Sequence, residues 1–333
     1  MSAFAEQAGS VLDVRGLSKH FPVRGRTFVR RQRLRAVDDV SFTLRAGKVT
    51  ALVGESGSGK STVARLLVRL YKPNGGTIHF HGNDVARTRG RRALRRYRSQ
   101  VQMIFQDPFA SLNPVKRVEH HLARPLLIHG IVRRKDVRRR VHELLTSVGL
   151  VPPDKIAQLY PHQLSGGQRQ RVAIARALAV EPSVLLADEP ISMLDVSIRL
   201  GILNLILELK QERELAFLYV THDIASARYV ADELLVMYAG QIVEQGPTDE
   251  VLQRPLHPYT QLLLSAVPDP EAGLRMKRLP PRAIRQLAPD HAGCRFAGRC
   301  GLAVDSCFTT PPELLELRPG HFVRCPVAAS AAT

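Results

Sequence analysis

The stretch Gly54-Glu55-Ser56-Gly57-Ser58-Gly59-Lys60-Ser61 has the spacing G-x-x-x-x-G-K-S, and its residue types suit phosphate chemistry. The glycines let the backbone curl until successive N–H groups point inward at phosphate oxygens. A helix starting near Gly59 adds its positive end to the same anion. Lys60 then reaches the β- and γ-phosphates of a nucleotide, and the Ser61 hydroxyl ligates magnesium. A glycine-rich turn alone is weak evidence, but eight matching positions between a strand pattern and a helix pattern are specific.

A phosphate loop does not name a reaction, because kinases, motors and transporters all use one. Further along, PSVLLADEP ends an apolar run on two carboxylates. Asp188 is expected at the end of that strand, where ligands bind in open α/β sheets, placed to hold magnesium through water. Glu189, beside it, can orient or deprotonate an attacking water. A second run, AFLYVT, ends at His222, whose N–H can stabilise charge on a transferred phosphoryl group. Gln106 also follows an apolar run, and its amide can bond magnesium or water. In LSGGQRQRVAIARAL, the small residues Ser165, Gly166 and Gly167 precede a helix and form a second anion site. Two phosphate-binding surfaces with one set of hydrolytic residues suggest ATP held between two subunits, each giving one surface.

The elements that must position these groups are legible as short patterns. Residues 49–53, 184–187 and 216–221 are apolar runs suited to buried parallel strands. Residues 60–70 read as an amphipathic helix, and the helix after Gly167 turns Val172, Ala175 and Ala179 to one side. The 333 residues suffice for one large domain and a smaller one, with 44% hydrophobic residues. No apolar run approaches the roughly 18 residues needed to cross a bilayer. MSAFAEQAGS has neither the basic start nor the apolar stretch of a signal peptide, so a cytosolic location with reduced thiols is expected.

The net charge of +18 attracts nucleic acid or an anionic membrane face. Much of it sits in RGRTFVRRQRLR (24–35) and RTRGRRALRRYR (87–98), read first as solvated faces and second as surfaces toward acidic lipid head groups. Neither is interleaved with the aromatics that base stacking needs. All four cysteines, Cys294, Cys300, Cys307 and Cys325, fall in the last forty residues. Their spacings, C-x5-C, C-x6-C and then x17, do not match the short pairs of structural zinc. Four thiolates can nevertheless hold zinc or a cubane iron–sulfur cluster.

In their order and spacing, GESGSGKST, FQDP, LSGGQ, VLLADEP, SMLD and THD resemble an ABC-type ATPase subunit. The resemblance implies a P-loop NTPase of α/β class, with a RecA-like core, an antiparallel β subdomain and a helical signature subdomain. Gly54, Glu55, Ser56, Gly57, Ser58, Gly59, Lys60, Ser61 and Thr62 would be the Walker A loop. Gln106 would be the Q-loop glutamine, and Leu164, Ser165, Gly166, Gly167 and Gln168 the signature that meets the partner's ATP. Asp188 with Ser61 and Gln106 would serve magnesium, Glu189 would be general base, and His222 the switch histidine. Ser192, Met193, Leu194 and Asp195 correspond to the D-loop, with Met193 where alanine is common. Phe21 resembles the aromatic that stacks on adenine.

DVSIRLGILNLILELKQE, VMYAGQIVEQGPTDEVL and PLHPYTQLLLSAVPDP narrow the resemblance to oligopeptide/dipeptide importers, a group that also serves nickel and some oligosaccharides. This implies an ATP-binding domain at 11–256 and a cysteine-containing extension at 257–333. The implied partners are a second, often non-identical ATPase subunit, two membrane permeases and an extracytoplasmic binding protein, with this chain peripheral on the cytoplasmic face of the inner membrane. Segments near Gln106 and within 110–160 would transmit closure to the permeases. Some members of the group hold a 4Fe–4S cluster at the cysteine pattern, which makes the cluster the expectation and zinc the runner-up. Nucleic-acid ABC proteins usually carry two cassettes or a long coiled-coil insertion, and this chain has neither; a kinase has no use for LSGGQ.

Overall fold

The computed structural model describes residues 9–23, 32–107, 111–266 and 291–332. Most of the arginine-rich run 24–35 lies outside them. Among the described residues the strands are β1 (Ser10–Val23), β2 (Gln32–Arg45), β3 (Val49–Val53), β4 (Gly75–Phe80), β5 (Asn83–Asp84), β6 (Val101–Ile104), β7 (Val184–Asp188), β8 (Ala216–Thr221), β9 (Glu233–Tyr238), β10 (Gln241–Pro247), β11 (Leu315–Arg318) and β12 (His321–Val323).

They form two sheets. The smaller has the order β2-β1-β4-β5 and is antiparallel. The larger runs β11-β12-β10-β9-β3-β8-β7-β6, parallel from β9 to β6 and antiparallel beyond β9. The apolar runs read from sequence are its centre, because strands covered on both faces must be apolar throughout. Successive side chains alternate sides. Val184 and Leu186 of β7 face the smaller sheet's core, whereas Leu185 and Ala187 face a core shared with the helical region. That region comprises helices Val118–His129, Val137–Ser147, Pro153–Gln158 and Gly166–Leu178.

The carboxyl-terminal segment is tied into this architecture. Strand β12 pairs with β10 through Glu244 and Gln245, and Cys294, Cys300 and Cys307 pack in the same apolar core as Val236 and Tyr259. A buried carboxylate marks the seam. Glu244 accepts the backbone N–H groups of Leu256 and His257 and lies 2.8 Å from His321 Nε2.

The helix expected at 60–70 ends three residues early, at Leu67. Arg69 has a left-handed backbone, φ 58°, and Leu70 turns outward. The helix-end carbonyls here find donors on the helix Arg91–Gln100. Tyr97 Oη donates to Leu67 O at 2.6 Å, and Arg98 donates to Val68 O and Arg69 O at 3.2 and 2.7 Å. The second arginine-rich run therefore divides: Arg91, Arg92, Arg95 and Arg96 are solvated, while Tyr97 and Arg98 cap the neighbouring helix.

Candidate nucleotide-binding site

Parallel strands end together, so the loops leaving β3, β6, β7 and β8 meet at one edge of the sheet. The phosphate loop leaves β3 at Gly54, where φ is +154° and a Cβ would sit 2.1 Å from Met237 O. Gly59, at φ +108°, would meet Ala36 O at 2.2 Å. Backbone encloses both positions, which leaves room for glycine alone. The helix Lys60–Leu67 starts directly after.

Lys60 is buried, and its ammonium donates to Gly54 O at 2.7 Å and Glu55 O at 2.9 Å. Burial lowers its pKa, opposed by the charges of Glu189, Asp188 and Glu55. Ser61 Oγ donates to Asp188 Oδ1 at 2.9 Å, across 127 residues of sequence. Burial raises the Asp188 pKa, and the serine hydrogen bond works against that rise.

Glu189 stands next, with a left-handed φ of 47° that costs on the order of 1–3 kcal/mol for a non-glycine residue. Its amide donates to Val220 O at 2.8 Å on β8, and Ser192 Oγ donates to its carbonyl at 3.0 Å. The turn directs the carboxylate between two partners. Gln106 Nε2 donates to Glu189 Oε2 at 2.9 Å, and His222 Nδ1 lies 3.1 Å from Oε1. Three residues read separately from sequence thus form one constellation. The Gln106 amide nitrogen is thus engaged by Glu189.

Lys60, Ser61, Gln106, Glu189 and His222 line a cleft of ≈ 1160 Å³ that Phe21 also lines. Phe21 meets Tyr71 edge-on at 5.4 Å, with Lys19 Nζ 5.2 Å from its ring centre. The signature residues do not line this cleft. Ser165 and Gln168 satisfy each other, Ser165 N donating to Gln168 Oε1 at 2.9 Å and Gln168 N to Ser165 Oγ at 3.2 Å. This reciprocal cap starts the helix Gly166–Leu178. Leu164 is buried, and Gly167 packs against Ile198 of the helix Val196–Arg213. Between them run Ser192 to Asp195, where Leu194 turns inward while Met193 and Val196 are 55% and 78% exposed.

The carboxyl-terminal segment supplies a wall that sequence reasoning missed. Arg299 donates from Nη1 and Nη2 to the two carboxylate oxygens of Glu55, each at 2.9 Å. Glu55 N donates to Tyr259 Oη at 2.9 Å. No local pattern could reveal contacts spanning more than two hundred positions.

Cys294, Cys300, Cys307 and Cys325 are all buried, and Cys294 N donates to Cys307 O at 2.7 Å. Burial, with a smaller contribution from the other three cysteines, pushes the Cys294 thiol up to about 11. The donor set is therefore gathered in one lobe. Even so, among the described residues no group of three or more His, Cys, Asp or Glu side chains is arranged to hold a metal ion. The expectation of a cluster or zinc at these thiols therefore has chemistry on its side but no ready-made ligand geometry. No helix among the described residues is long and apolar enough to cross a membrane.

Residues 37–192 match the ABC transporter family, and residues 243–307 match the oligopeptide/dipeptide transporter, C-terminal region. A putative peptide import ATP-binding protein of Brucella ovis is 46% identical over 316 residues, covering 95% of this chain and 97% of its own. The oligopeptide transport ATP-binding protein AppF of Bacillus subtilis is 42% identical, covering 95% and 97%. Among solved structures, CbiO1 of Clostridium perfringens, part of the ABC transporter complex CbiONQ, superposes with a TM-score of 0.64 at 28% identity, over 74% of this chain and 92% of its own. A cassette solved as a dimer in a post-hydrolysis state with ADP and Pi gives 0.62, also at 28% identity, over 71% and 98%. With matches of this identity along nearly its whole length, the chain belongs to the ABC transporter ATPases, in the branch that carries the oligopeptide/dipeptide transporter C-terminal region.

Proposed function

We propose that this chain hydrolyses ATP to power import of oligopeptides or dipeptides, by closing on a second ATPase subunit beneath two membrane permeases. The observation that carries the ATPase chemistry is the Glu189 carboxylate held between Gln106 and His222, one residue from the Asp188–Ser61 pair. In this reading Glu189 takes a proton from the attacking water, Gln106 and His222 orient its carboxylate, and Lys60 with the amides from Gly54 to Thr62 holds the phosphates. Magnesium would be held by Ser61, Gln106 and Asp188, and would neutralise charge on the β- and γ-phosphate oxygens when bound. Phe21 takes the adenine.

The signature Leu164–Gln168 and the D-loop Ser192–Asp195 meet the partner's nucleotide. None of the signature residues lines this chain's own cleft, which supports that assignment. ATP between two subunits adds charge-assisted contacts on closing, and hydrolysis removes them. Region 110–160 carries the motion to the permeases.

Peptide as cargo is supported by the names of the relatives, with an extracytoplasmic binding protein delivering it. Nickel or oligosaccharide is the second reading, and nucleic acid is not a partner. The division into 11–256 and 257–333 and a peripheral position on the cytoplasmic face of the inner membrane belong to the same reading. At the four cysteines we assign a 4Fe–4S cluster, with zinc second. Four buried thiols in one lobe support this, and binding requires them to draw together. Anaerobically purified protein should show a broad visible absorbance bleached by dithionite; a colourless protein with stoichiometric zinc would sink the cluster.

The central test is Glu189→Gln. Turnover should fall about a hundredfold or more, while ATP binding persists and closed dimers accumulate. Normal turnover would remove Glu189 as the base. Ligands identified on the cognate binding protein test the cargo independently.

A further inference from the structure

Two arginines of the carboxyl-terminal lobe, Arg295 and Arg299, line the nucleotide cleft together with Gly298 and His291. Neither belongs to a phosphate-binding motif. Each is anchored where it can act on the phosphate loop.

Arg299 engages the first half of the loop. Its guanidinium grips both oxygens of Glu55, in the planar fork geometry that lysine cannot reproduce. Its approach is set by two aromatic rings, with Tyr238 and Phe296 centred 5.7 and 5.8 Å from its guanidinium carbon. Tyr259 completes the cradle by accepting the Glu55 N–H, while its ring lies 4.6 Å from Tyr238 and 5.5 Å from Phe296.

Arg295 engages the second half through a relay. It donates to the Asp38 carboxylate and to Ala239 O. Asp38 N donates to Gly240 O at 2.8 Å, and Gly240 N donates to Ser58 O at 2.8 Å. The lobe thus reaches the loop at Glu55 and, through the β9–β10 turn, at Ser58.

We infer that the carboxyl-terminal lobe sets the conformation of the phosphate loop, with Arg299 a positioning residue that acts on ATP binding through Glu55. Both terminal nitrogens of Arg299 donate to Glu55, and the effect assigned to it passes through that carboxylate. Arg299 precedes Cys300 and Arg295 follows Cys294, so a change at either thiol is one peptide bond from a loop anchor. This role rests on the cleft being the nucleotide site.

The test uses the full chain and a fluorescent ATP analogue, with steady-state hydrolysis alongside. Arg299→Ala should weaken nucleotide binding and raise KM roughly three- to tenfold, with kcat within about twofold. Glu55→Gln should do the same, and the double variant should be no worse than either single one, because both remove one interaction. Arg299→Lys, which keeps the charge and most of the packing, should fall between wild type and Arg299→Ala. It also serves as the working variant if Arg299→Ala does not fold. Additive losses, a kcat defect at unchanged KM, or full wild-type affinity in both Arg299 variants would overturn the inference. Failure of the wild-type chain itself to bind the analogue would instead overturn the nucleotide-site reading.

Discussion

The two segments proposed to face phosphate are built in opposite ways. The loop Gly54–Ser61 is enclosed: backbone crowds Gly54 and Gly59, Lys60 is buried, and groups from β7 and the carboxyl-terminal lobe reach it. The signature start, Ser165–Gln168, is capped by its own side chains and packs against Leu194 and Ile198, in the segment that also carries the exposed apolar residues Met193 and Val196. One surface is finished within a single chain, whereas the other offers a helix end and an apolar margin to something outside it. In the proposed reading, a site divided this way would couple nucleotide to assembly, because closing would bring the second surface to the phosphates.

The comparison is broken most severely at Lys60. Lys60→Ala should weaken ATP binding by the isolated chain about tenfold to a hundredfold, read by titration with a fluorescent analogue. An unchanged affinity would mean that the enclosed surface is not the one that holds nucleotide. Ser165→Ala sharpens the other side. Binding by the isolated chain should stay within about twofold, while turnover in the assembled ATPase falls about tenfold for one lost phosphate contact. A matching loss of affinity in the isolated chain would show that the two surfaces are not separate.

The smallest effect concerns the seam that supports the enclosed surface. Burial lowers the His257 pKa to about 4, only partly opposed by Glu244, and His257 Nδ1 accepts the Tyr259 N–H at 3.0 Å. Its ring is therefore neutral when folded. Above about pH 6.5 neither state protonates it. As pH falls from there toward 4 the unfolded chain binds a proton that the folded chain refuses, and stability drops by at most about 3 kcal/mol. Urea unfolding followed between pH 7 and 4 should show that slope, and His257→Gln should flatten it. An identical slope in the variant would place the acid sensitivity elsewhere.

Much of this was legible in advance, and the reasons differ by residue. Strands β3 and β8 begin and end where the apolar runs do, because a strand buried on both faces needs no information beyond itself. The start of the helix at Lys60 was equally local. Its end was not, since Tyr97 and Arg98, thirty residues away, offered donors to its last carbonyls. The meeting of Gln106, Glu189 and His222 was suggested only by role. The grip of Arg299 on Glu55 had no sequence signal at all.

By itself, the sequence determined the chemistry available: a glycine-rich loop ending in Lys60 and Ser61, carboxylates closing an apolar strand, small residues before a helix start at Ser165, and four thiols near the end. Each depends on backbone preference, burial or side-chain type within a few residues, and such terms are readable locally. Only the tertiary structure decided which of these groups touch. Strand order set β6, β7, β8 and β3 side by side with their ends aligned, and β12 on β10 carried Arg295 and Arg299 back to the loop. Contacts across 83 or 244 residues exist because packing the whole core makes them adjacent, and no local preference encodes that adjacency.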